Sequence, residues 1–374
     1  MPAFNRYIGI DYSGAEVPTA YLKGLRVYMT DGQTAPAEVS PPRTPGRNWT
    51  RRGVAEWLVE RLREDTPTLI GIDHGFSFPL SYFDAHRLAH DWDAFLDDFQ
   101  RHWPTDGDNI YVDFVREGVV GNGAARRGDT RWRRLTEHRA GGAKSVFHFD
   151  VPGSVAKSTH SGIPWLRFIR RQLRERVHVW PFDGWDIPAG RSAVVEAYPA
   201  LWSAGFANDV GRTNDQHDAF CIAAWLSQAD RDGRLAASLK PGLSGADEAV
   251  AKVEGWILGV PAAGTPGRAT SNGRSTPRSG AGGTHRRLAG ANEPRASAAR
   301  YDPASGKVTV DLTNGCAFIF PARALQGLES ATDAQLAQVQ VLGAGIGLHW
   351  ESLDADFSVP GLLMGRFGTE AWMA

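Results

Sequence analysis

The chain has 374 residues, more than one hydrophobic core usually serves, so two folded units are expected. With 42% apolar and 22% charged residues it has the composition of a globular protein, not of a disordered or fibrous one. A formal net charge of −1 draws it to neither nucleic acid nor an anionic membrane, so any grip on a polyanion must come from local basic patches.

Cys221 and Cys316 are the only cysteines and lie far apart, which excludes a disulfide framework and a thiolate metal site. No apolar run is long enough to span a bilayer, and the N-terminus lacks the pattern of a signal peptide. A cytoplasmic protein without a membrane partner is the expectation.

In chain order, Arg6-Tyr-Ile-Gly-Ile-Asp11 is a short apolar run that reads as a buried strand, followed by a second strand at Leu22 to Met29. Residues 31 to 48 are rich in Pro and Gly and read as a loop. Arg51 to Arg63 has helical spacing through Val54, Trp57, Leu58 and Leu62. Thr68-Leu-Ile-Gly-Ile-Asp73 repeats the first strand pattern. Tyr82 to Trp103 reads as helical and acidic, 116 to 144 as a Gly- and Arg-rich stretch expected to be a loop or a mobile element, and Trp165 to Arg176 as an amphipathic helix. Arg191-Ser-Ala-Val-Val-Glu196 is a third apolar strand, and Asp215 to Gln228 a helix. Strands alternating with helices predict an α/β fold with a largely parallel sheet.

Residues 261 to 300 carry seven arginines against one glutamate and almost no large apolar side chain, which predicts a disordered linker. Beyond it, Lys307 to Phe320 gives two alternating strands around Asn314-Gly315, a hairpin signal, and a helix is expected at about Asp333 to Leu342. The expected domains are therefore residues 1–262, a linker at 263–298 and a small α+β domain at 299–374.

Asp11, Asp73 and Glu196 each close a short apolar strand, and parallel strands place their carboxyl ends on one edge, so these acids are expected to converge. Asp215 and Asp218 stand three apart at the start of the next helix, on one face or in its first turn. So many carboxylates would repel one another without a cation, and oxygen-only ligands suit Mg2+ or Mn2+. Two such ions would support phosphodiester hydrolysis. Taken singly, Asp11 and Asp73 read equally as turn residues, and Asp215 or Asp218 as a helix cap.

Ile10-Asp-Tyr-Ser-Gly-Ala15, Ile72-Asp-His-Gly-Phe-Ser-Phe-Pro79, Val195-Glu-Ala-Tyr-Pro199 and Asn214-Asp-Gln-His-Asp-Ala-Phe220 resemble the signatures of DUF429, a family of predicted RNase H-like nucleases. Lys157-Ser-Thr-His-Ser-Gly162 and Glu254-Gly-Trp-Ile-Leu-Gly259 are similar to it too, so the resemblance covers about residues 5 to 260. The helix start at His217-Asp218-Ala219 also resembles RuvC-type nucleases. These resemblances imply an RNase H-like fold with Asp11, Asp73, Glu196 and Asp218 as metal ligands and Asp215 or His217 as auxiliaries. The C-terminal segment resembles DUF2442 through Asn314-Gly315, Ala331-Thr332-Asp333 and Gly347 to Asp356, which implies a module that binds a protein partner.

Between 116 and 144 eight cations face three acids, an excess of five positive charges, with Trp132 among Arg131, Arg133 and Arg134. Together with Lys157 these residues are the expected grip on a nucleic-acid substrate. The alternative is a solvated loop whose arginines pair with Asp91 to Asp98. His86, His90 and Asp91 lack a convincing third zinc ligand, and His349, Glu351, Asp354 and Asp356 read as a solvated turn. The competing functions are an actin-like phosphotransferase, for which a Gly-rich adenosine-binding segment is missing, and a catalytically silent regulator.

Overall fold

Strand β1 (Arg6–Tyr12) turns Tyr7, Gly9 and Asp11 to one face and Ile8, Ile10 and Tyr12 to the other, and this alternation sets the layering of the N-terminal unit. The computed structural model describes residues 2–13, 16–44, 46–141, 143–149, 154–208, 210–262, 295–342, 347–350, 353, 355–363, 365 and 367. The chain divides into two compact units, residues 1–271 and 272–374. Most of the expected linker, 263–294, lies outside the described residues.

After β1 come β2 (Leu25–Thr30), β3 (Ala37–Glu38), α1 (Arg51–Leu62) and β4 (Thr68–Asp73). Then follow α2 (Leu80–His86), α3 (Trp92–His102), α4 (Val112–Arg116), α5 (Leu135–Arg139) and α6 (Ala156–Leu173). The unit closes with β5 (Val177–Val179), β6 (Ser192–Glu196), α7 (Asn214–Arg231), α8 (Arg234–Ser238) and α9 (Gly245–Glu254). The result is a six-stranded mixed sheet in the order β3-β2-β1-β4-β6-β5. β2 runs antiparallel to β1 and β3, whereas β1, β4, β6 and β5 pair in parallel.

Ile8, Ile10, Ile70 and Ile72 pack on one face against Val54, Leu58 and Leu62 of α1 and Ile163, Leu166 and Ile169 of α6. Each such buried side chain stabilises the fold by roughly 1.5–3 kcal/mol. On the other face α7 lies directly on the strands. A Cβ on Gly9 would stand 2.2 Å from the Ala219 carbonyl oxygen, and one on Gly71 would stand 2.5 Å from Ile222 Cγ2. Both glycines are therefore required for this close approach.

Three expectations change here. The predicted helix over 82–103 is two helices, because Arg87 takes the left-handed conformation (φ 54°) and Asp91 starts α3 by accepting from Ala94 N. The helix expected from Trp165 begins at Ala156 and carries Pro164 inside it. The segment 116–144 is not all loop, since α5 lies within it.

The C-terminal unit is a small β domain with short helices, not the expected α+β domain. β7 (Ala296–Asp302), β8 (Lys307–Leu312) and β9 (Ala317–Pro321) form one three-stranded antiparallel sheet. Next in the chain is α10 (Asp333–Leu336). The second sheet is β10 (Gln340–Leu342), β11 (Gly347–Trp350) and β12 (Ala355–Ser358), and α11 (Val359–Leu363) follows it. The predicted hairpin forms around Gly315 (φ 86°). The helix expected to Leu342 stops at Leu336 because Gln340–Leu342 pairs with β11. Val308, Val310, Phe320, Leu348 and Trp350 form this unit's own core.

Candidate metal and phosphate site

Asp11 and Asp73 are Cα partners on the parallel strands β1 and β4, so both side chains leave the sheet on the face that α7 covers. Thr213 caps α7, its hydroxyl accepting from Gln216 N at 3.3 Å, and Gln216 Oε1 accepts in return from Thr213 N at 3.0 Å. Neither Asp215 nor Asp218 is therefore the cap. Asp215 lies in the first turn, where the helix dipole favours negative charge, Asp218 follows three residues on, and both are half-buried.

The four acids feel one another. Burial, together with the charges of Asp215 and Asp218, pushes the Asp11 carboxyl up to about 7, although hydrogen bonds from Ser13 oppose the shift. Burial and the charges of Asp11, Asp218 and Glu196 hold Asp73 well above the ordinary carboxylate range. Asp215 and Asp218 are raised as well, chiefly by burial. Asp11 Oδ1 accepts from Ser13 N at 2.9 Å, so the turn role suggested by its sequence is also filled.

Glu196 does not converge with them. Its Cα partner on β4 is Ile72, one residue before Asp73, so it points to the opposite face. There Arg134 Nη2 and Nη1 donate to its two carboxylate oxygens at 2.6 and 2.7 Å, while Arg134 Nε donates to Glu137 Oε1 at 2.8 Å. This buried network ties α5 to β6. Glu254 extends it by accepting from Leu80 N and Leu135 N, each at 2.6 Å.

The residues expected to grip substrate are mostly engaged elsewhere. Arg134 is 1% exposed and cannot reach a ligand in solvent. Arg131 pairs with Asp129 at 2.5 Å and Lys157 with Asp113 at 2.8 Å. Trp132 is half-buried with its ring near Phe147, while Arg133 is exposed and donates to the Ala143 carbonyl at 2.6 Å. Arg126 of this segment joins the acidic helix α3, pairing with Asp98 at 2.6 Å. His217 Nε2 lies 3.4 Å from Cys221 Sγ, and its Nδ1 is buried without a partner.

Among the described residues no three His, Cys, Asp or Glu side chains stand ready as a closed metal cage. His86 contacts the Arg127 carbonyl and His90 pairs with Asp84, so they do not share a site. Glu351 and Asp354 lie outside the described residues. Sequence reading overlooked Arg26 and Tyr198 beside the carboxylates. Arg26 is the Cα partner of Asp11, and the Tyr198 hydroxyl is raised by burial and by the charge of Asp73. Strand register and a two-residue offset from Glu196 were the available signals.

Residues 296–368 match the family described as "Protein of unknown function (DUF2442)", and this segment belongs to it. A protein of unknown function from Rhodospirillum rubrum, known from a crystal structure, is 64% identical over 22% of this chain and 100% of its own, with a TM-score of 0.22. An uncharacterized protein from Chromobacterium violaceum, solved by NMR, is 32% identical over 21% of this chain and 72% of its own, with a TM-score of 0.20. No curated protein matches the chain. No helix among the described residues is long and apolar enough to cross a membrane.

Proposed function

We propose that the N-terminal unit is an RNase H-like, DUF429-type phosphoester hydrolase, a nuclease whose Asp11, Asp73, Asp215 and Asp218 hold Mg2+ or Mn2+. The observation that carries this reading is the gathering of four carboxylates, with no salt bridge to a cation among the described residues, on one face at the carboxyl edge of the sheet. The sheet order supports it, with antiparallel β3-β2-β1 continued by parallel β4 and β6.

The donor set fits a hard divalent cation, because it is oxygen-only and its charges destabilise one another without one. Asp73, Asp215 and Asp218 are each only half-buried. Bound there, the metal would activate water and offset charge on the leaving oxygen. Ser13 steadies Asp11, and His217 Nδ1, buried without a hydrogen-bond partner among the described residues, stands on α7 next to Asp218. Glu196 supports the site from behind as the partner of Arg134.

The saturation of Glu196 and the lack of a closed cage favour a second reading, a catalytically silent regulator. The C-terminal unit would then recruit a protein partner, and Ile319, 61% exposed on the edge strand β9, supports that role. Free Cys221 and Cys316 suit a reducing cytoplasm. One experiment separates the readings. Single- and double-stranded DNA, RNA and hybrid are incubated with wild type and with an Asp11→Asn, Asp218→Asn double variant, in Mg2+, Mn2+ or chelator. Metal-dependent cleavage by wild type alone supports the hydrolase, and no cleavage of any substrate supports the regulator.

A further inference from the structure

Two arginines stand at the rim of the carboxylate face with charge that acids do not fully absorb. Arg26 leaves β2 on the α7 side, and its charge reaches Asp215. Its Nη1 donates to Glu38 Oε1 at 3.0 Å, but its Nε is buried without an acceptor. Arg212, two residues before α7, holds its guanidinium carbon 3.6 Å from the Phe220 ring centroid, and its charge reaches the Tyr28 hydroxyl. Among the described residues it forms no ion pair. Tyr28 is the Cα partner of Gly9 and so shares the face of Arg26, two residues away. The arginines therefore flank one rim, above β2 and the start of α7.

A residue that served only to pin this turn to α7 would gain from a carboxylate partner. Glu38, the nearby acid, is instead shared between Arg26 and Gln216, whose Nε2 donates to it at 2.8 Å. Arg212 instead rests on an aromatic support, with no ion pair to an acid among the described residues, and cation and ring attract. By contrast, the richer arginine segment at 116–144 is largely neutralised, through Asp98, Asp129, Glu137, Glu196 and Asp247.

We propose that Arg26 and Arg212 are the phosphate grip of the carboxylate site, and that a nucleic-acid strand runs over β2 and the start of α7 with a backbone phosphate on each arginine. This rests on the phosphoester reading above. The four acids and the two arginines divide the work: the acids hold cations at the reacting phosphate, and the guanidinium forks bind its neighbours.

The test uses full-length protein, a short fluorescein-labelled single-stranded oligonucleotide and anisotropy titrations in Ca2+ across a salt series. Arg26→Ala and Arg212→Ala should each weaken binding by about tenfold, the loss of one charge-assisted contact. Each should also flatten the log–log salt slope by about 0.7. Arg26→Lys and Arg212→Lys should keep the slope, and Arg131→Ala should leave both quantities unchanged. If the alanine variants fail to fold, Arg26→Gln and Arg212→Gln replace them. Wild-type affinity and slope in the neutral variants would overturn the grip while Mn2+-dependent cleavage still stood. Weakened binding with an unaltered slope would also overturn it, leaving a structural tether. If wild type binds no oligonucleotide and cleaves none, the phosphoester reading falls with it.

Discussion

Asp11 and Asp73 stand abreast as Cα partners on adjacent parallel strands, two carboxylates on one buried face. The Asp11 carboxyl, pushed up to about 7, lies above its unfolded value, so protonation favours the folded state. That contribution is complete below about pH 4 and is lost as the pH rises through about 7. Metal-free protein should therefore lose on the order of 3 kcal/mol between about pH 5 and pH 8. Asp11→Asn should flatten the profile, as urea unfolding in chelator will show. A wild-type profile that rises with pH across this window contradicts the mutual repulsion.

Cations should reverse the effect. With Mn2+ at a hundredfold excess over its Kd, stability should rise by about 2.7 kcal/mol, and the required concentration should be far lower at about pH 8 than at about pH 5. Asp11→Asn or Asp73→Asn should remove most of this gain and reduce any cleavage by about a hundredfold or more. Thermal shifts with and without metal measure the first quantity, and oligonucleotide cleavage the second.

Arg134 is buried between Glu137 and Glu196. Arg134→Ala strands two buried acids and should cost about 3–5 kcal/mol, whereas an Arg134→Met, Glu137→Leu, Glu196→Leu triple variant should recover much of that loss. Glu196→Gln should lower stability but leave Mn2+ affinity unchanged. A calorimetric titration in which Glu196→Gln weakens Mn2+ binding as strongly as Asp73→Asn would restore Glu196 to the ligand set.

Gly9 lets α7 rest on β1, with space for a Cβ denied by the Ala219 carbonyl at 2.2 Å. Gly9→Ala should destabilise by about 1–3 kcal/mol and also weaken Mn2+ binding, because α7 carries Asp215 and Asp218. Gly205→Ala, with nothing within 4 Å of the added methyl and no positive φ, should stay within about 0.5 kcal/mol of wild type. Equal melting curves for the two variants would mean that α7 shifts freely.

Local sequence alone determined the apolar strands that carry Asp11, Asp73 and Glu196 at their carboxyl ends, the α1 and α7 helices, and the Asn314–Gly315 hairpin. Each depends on neighbours in the chain: a short apolar run, the helical spacing of apolar residues, a glycine able to take positive φ. The DUF2442 character of residues 296–368 was legible in the same way. Tertiary structure decided the rest. A one-residue difference in register sent Glu196 to the opposite face from Asp73, which no run of apolar residues reveals. Packing on the sheet carried α6 back through Pro164 to Ala156. The arginines of 116–144 met their acids on α3, α9 and β6, far away in sequence, while Arg26 came beside Asp11 only because β2 folds back on β1. Local sequence sets which segments form and which residues end them. Pairing and burial decide which charges meet, because the Coulomb and desolvation terms that govern a site depend on distances in space.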